Sequence, residues 1–70
     1  MTLKEHLLVI LMEECAEVQH RASKLLRFGP QDSDPATGEG SVDALVRELN
    51  DLMGTIQMVK TYGVIFGDQS

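Results

Sequence analysis

The stretch LKEHLLVILMEECAEVQHRASKLLRF, residues 3–28, decides the fold, because it contains neither proline nor glycine. At about 100° per residue, Leu7, Leu8, Leu11, Cys15, Val18, Ala22, Leu25 and Leu26 fall on one stripe, the spacing of an amphipathic helix. Thr2 is placed to cap that helix, with Glu5 three positions on in a capping-box pattern. Gly29 and Pro30 stop it, since glycine suits a C-cap and proline cannot continue a helix.

The segment that follows, PQDSDPATGEG at residues 30–40, holds two prolines and two glycines among short polar residues. It reads as a loop and as the most mobile part of the chain. Beyond it, Ser41 is expected to cap a second helix, with Asp43 favourably placed in its first turn. Val42, Leu45, Val46, Leu49, Leu52, Met53, Ile56 and Val59 form its apolar stripe. That helix is expected to end near Tyr62 with Gly63 as its C-cap, leaving VIFGDQS as a short apolar tail. The chain is therefore all-α and one domain: a helix over about 3–28, a loop over about 29–40, a helix over about 41–62 and a tail. Two helices joined this way most simply make an antiparallel hairpin. Both stripes are too wide for two helices to cover. The leftover apolar surface predicts a four-helix-type bundle built from two or more chains.

Composition narrows the function. Hydrophobic residues make up 43% and charged residues 24% of the 70 positions, close to globular averages and unlike a disordered tail. Eleven acidic against six basic residues give a formal charge of −5, which opposes binding of polymeric nucleic acid. A domain this small is marginally stable alone and usually gains disulfides, metals or partner subunits. Cys15 is the only cysteine, so no intrachain disulfide can form, and subunit association is the expected source of stability. No run approaches the roughly 18 apolar residues of a membrane span. Leu7–Met12 is too short for a secretory signal, and the free thiol agrees with the cytoplasm.

The acids are arranged in two groups. Residues 13–17 read Glu-Glu-Cys-Ala-Glu, and residues 48–51 read Glu-Leu-Asn-Asp. Glu14/Glu17 and Glu48/Asp51 are each three apart, so each pair shares a helical face, where like charges repel. Glu14 and Glu48 lie at the margins of their stripes, which places the acids at the edge of the packed interface. Antiparallel packing brings four carboxylates together there. Unpaired, they would destabilise the fold. A hard divalent cation, Mg²⁺ or Mn²⁺, would resolve the repulsion. The bland alternative is a solvated acidic face.

EECAE followed by ELND resembles the EExxE…ExxD signature of the MazG-like, all-α nucleoside triphosphate pyrophosphohydrolases, and the likeness covers residues 5–62. It implies a Mg²⁺-dependent hydrolase, assembled as a homodimer or homotetramer, that converts nucleoside triphosphates to the monophosphate and pyrophosphate. Carried over by motif position, Glu14, Glu17, Glu48 and Asp51 would be the metal ligands. Glu13 would take a supporting catalytic role, orienting a water. Related proteins usually continue into a further helix that contacts metal or phosphate, whereas this sequence ends at Ser70. Either a neighbouring subunit completes the site, or the hairpin is a weakly active or inactive oligomerisation and interaction module.

Arg21 and Lys24 follow the first acidic group and are candidates for binding triphosphate oxygens, Arg with bidentate geometry. For Arg21 the competing reading is an i,i+4 salt bridge to Glu17. Cys15, within the stripe, is expected to be a small buried residue rather than a nucleophile. His6 and His20 are expected at the surface, and Met12, Met53 and Met58 as core or interface filler. Phe28 and Tyr62 could stack on a base or simply pack.

Overall fold

A computed structural model of the protein describes residues 1–62. The first helix, α1, spans Leu3–Phe28 and the second, α2, spans Ser41–Thr61. Both cap signals of α1 are realised. The Thr2 hydroxyl accepts from Glu5 N–H at 3.1 Å, and the Glu5 carboxylate accepts from Thr2 N–H at 2.8 Å. Two of the helix's orphan donors are thereby satisfied. Gly29 ends α1 at φ 84°, ψ 169°, and its N–H reaches back to Leu25 O at 2.9 Å.

The start of α2 differs from the expectation. Gly40, not Ser41, is the N-cap, and no side chain caps the helix. Ser41 is instead tied to the loop, donating its backbone N–H to Asp32 O at 2.9 Å and its hydroxyl to Asp32 Oδ2 at 3.4 Å. A hydroxyl used that way cannot reach the next turn. At the other end Tyr62 is the C-cap, its N–H directed to Met58 O and Lys60 O. Gly63 and the tail lie outside the described residues.

The connecting loop closes on itself. Asp34 N–H donates to Glu39 O at 2.9 Å, Gly38 N–H to Asp34 O at 2.7 Å, and the Asp34 carboxylate accepts from Ala36 N–H at 2.8 Å. Ser33 and Gly40 pair as an isolated antiparallel bridge.

The two helices pack along each other as a hairpin. Arg21 and Glu48 meet at one level, while Glu14, further back on α1, meets Asp51, further on along α2. The helices are therefore antiparallel. The same register brings Leu7 level with Val59, two of the three buried hydrophobic residues, with Ala44 the third. Along α1 the seam follows Leu7, Leu11, Glu14, Val18, Arg21 and Leu25, all buried or half-buried. Along α2 the buried positions are Ala44, Glu48, Thr55 and Val59.

This seam is not the apolar stripe of α2. At 100° per residue it lies about a quarter turn from that stripe's centre. Val42, Val46, Leu49, Met53 and Ile56 are consequently exposed, as are Leu8, Val9 and Met12 on α1. Cys15 is exposed rather than buried, because it projects beside the seam. Met12, Met53 and Met58 also lie outside the hairpin's core. Among the described residues no helix is long and apolar enough to cross a membrane.

Candidate metal centre

Glu48 is the residue around which the site is built. It sits in the seam of α2 between Ala44 and Thr55 and is 5% exposed. The sequence places it at the interface edge; the packing puts it inside. A buried carboxylate needs charged or hydrogen-bonding partners, since an isolated one is costly to desolvate. Arg47 Nη1 donates to Glu48 Oε2 at 3.2 Å, and Arg21 Nε stands 4.0 Å from the same oxygen. Arg21 Nε is itself buried and has no hydrogen-bond partner among the described residues.

The i,i+3 spacing puts Asp51 one turn along α2 from Glu48, and the antiparallel register supplies Glu14 from α1. One oxygen from each of Glu14, Glu48 and Asp51 can be chosen so that all three lie within 4.8 Å of one another. Opposite ligands of an octahedral Mg²⁺ stand about 4.2 Å apart, twice its bond length, and those of Ca²⁺ up to about 5.2 Å. An all-oxygen set at this separation fits a hard divalent cation after small side-chain rotations. It does not suit a soft metal.

The charges of the cluster act on one another. Partial burial raises the pKa of Glu14 above its ordinary value, and the negative charges of Asp51, Glu48, Glu17 and Glu13 add to the rise. A cation placed among them would reverse that effect.

Of the other expected site residues, Glu13 and Glu17 are exposed on α1 and are not part of the three-carboxylate group. Both still bear on Glu14 through their charge. Arg21 does not bridge to Glu17 among the described ion pairs; it turns into the seam toward Glu48. Lys24 and Arg21 line a small cleft whose far wall is the loop, with Asp32, Asp34 and Glu39. His6 and His20 are exposed. Phe28 is exposed too, with the Arg27 guanidinium 5.0 Å from its ring centroid.

Two contributors carry no signal in the sequence. Arg47 spans the cluster and the loop, donating Nε to Glu39 Oε2 at 3.0 Å and Nη2 to Glu39 Oε1 at 3.1 Å. This bidentate pair lowers the pKa of Glu39 below the usual glutamate value and raises that of Arg47. No protein-family model matches the chain, and neither the curated proteins nor the solved structures include one significantly similar to it.

Proposed function

We propose that the protein is a Mg²⁺-dependent nucleoside triphosphate pyrophosphohydrolase, working in the cytoplasm as a homo-oligomer of hairpins. The observation that carries this reading is the convergence of Glu14, Glu48 and Asp51 from two helices onto one space of ionic dimensions. These three would hold Mg²⁺, or Mn²⁺ in its place, and Glu17 would join them after a rotamer change or through a bound water. A divalent cation so held neutralises phosphate charge and lowers the pKa of its water. Glu13 would orient the attacking water at the α-phosphorus, and Lys24 would face the triphosphate oxygens. Arg21, drawn toward Glu48, would reach phosphate only by leaving that carboxylate.

Two measurements test this. Mg²⁺ at millimolar concentration should raise the melting temperature, because it binds the folded cluster and not the unfolded chain. A panel of canonical and modified nucleoside triphosphates with Mg²⁺ should yield monophosphate and pyrophosphate from at least one member. In Asp51→Asn, which keeps size and removes one charge, turnover should fall by orders of magnitude. Its Mg²⁺-dependent melting shift should shrink, while metal-free stability stays equal or rises. Unchanged melting behaviour and unchanged turnover in this variant would return the acids to a solvated face.

The exposed apolar residues of α2 favour a second reading, an oligomerisation and interaction module without turnover. It predicts self-assembly with no pyrophosphate release from any triphosphate.

A further inference from the structure

One guanidinium serves two carboxylates of different kinds. Arg47 grips Glu39 of the loop through Nε and Nη2, and touches Glu48 of the acidic cluster through Nη1 alone. Glu39 is partly exposed and Glu48 is almost fully buried. The Glu48 carboxylate therefore already has a cation seated on it, one supplied by the chain. We propose that Arg47 is a built-in competitor for the divalent cation at Glu48, and that Glu39 restrains it, so that the loop sets the affinity of the cluster. The inference rests on the metal-binding reading of Glu14, Glu48 and Asp51.

The physical grounds are direct. A guanidinium and a metal ion a few ångströms apart repel, and both draw on the same negative charge. Arginine's donors are arranged as a fork that fits one carboxylate best. Here Glu39 takes the fork and Glu48 receives a single bond. Arg47 can thus release Glu48 without leaving the loop, and cation entry costs one hydrogen bond rather than the whole clamp. Remove the Glu39 charge and the fork is free to close on Glu48, making Arg47 a stronger competitor.

The test is Mn²⁺ binding by titration calorimetry on the full chain. The variants are Arg47→Gln, Glu39→Gln, the double variant, Arg47→Met and the control Asp51→Asn. Arg47→Gln should bind Mn²⁺ about tenfold more tightly than wild type, within the usual 5–150-fold range for coupled sites. Glu39→Gln should bind more weakly. The double variant should match Arg47→Gln, because Glu39 acts through Arg47. If Arg47→Gln does not fold, Arg47→Met carries the comparison: it keeps the aliphatic stem, lacks the charge and should also bind more tightly than wild type. Equal or weaker binding in the folded Arg47 variant, while Asp51→Asn abolishes binding, overturns the role of Arg47 and leaves the metal centre standing. A loss on Glu39→Gln that persists undiminished in the double variant also overturns it, since that is plain loss of charge. Binding that survives Asp51→Asn, or no binding by any variant, removes the metal centre and this inference together.

Discussion

Glu14 carries its charge at an energetic disadvantage, half-buried and facing two other carboxylates. Its pKa in the folded protein lies above the unfolded value. The native state therefore binds its proton more tightly, and stability falls as pH rises from the ordinary glutamate value of about 4.3 through the raised one. Glu14→Gln should raise the metal-free melting temperature at pH 7, and the gain should vanish as pH falls to that ordinary value. A lower melting temperature at pH 7 would mean the carboxylate has a favourable partner instead. At this scale the spacing of acids names Glu14, Glu48 and Asp51, because residues three apart share a helical face. It does not separate Glu17 from them. A residue can share a face with the seam's members and still project to solvent. Arg47 is not legible at all: neighbours in sequence point in different directions on a helix, and its bidentate partner sits in a loop whose path no periodicity encodes.

At the scale of the element, local signals are legible where they are self-contained. Thr2 with Glu5, and Gly29 with Pro30, bound α1 as the sequence implies, because each cap is closed by residues within one turn. The start of α2 misleads, since Ser41 has a competing partner nine residues away in Asp32. The apolar stripe misleads in a related way. Periodicity reports which face of α2 is apolar, not which neighbour covers that face, and the hairpin seam runs instead through Ala44, Glu48, Thr55 and Val59. Gly29 supplies the prediction here. Its φ of 84° with ψ of 169° is a region open essentially to glycine alone. A Cβ added there would meet nothing within 4 Å. Gly29→Ala should therefore destabilise by about 1–3 kcal/mol through backbone strain alone, read as a lower urea midpoint at unchanged m-value.

The described hairpin is elongated, because helices of 26 and 21 residues lie side by side. A hairpin with three buried hydrophobic residues among those described leaves Val46, Leu49, Met53 and Ile56 facing outward along α2. A second copy of the same hairpin is the simplest cover for that face, as the proposed bundle requires. Val46→Glu with Met53→Glu should reduce the sedimenting mass to a single chain and lower the melting temperature. A wild-type chain that already sediments as one copy overturns self-assembly. The charged residues threaded through the seam have one more consequence. Leu7, Glu14 and Arg21 occupy the same seam position at seven-residue intervals, so an uncharged version of the hairpin could slide by a heptad and still pack. With the charges in place, such a slide carries Glu48 away from Arg21 and sets it against Glu14 or Phe28, exchanging an attractive neighbour for a repelling or an apolar one. The seam thus works as a key that admits a single alignment of the two helices, giving up cohesion to gain it.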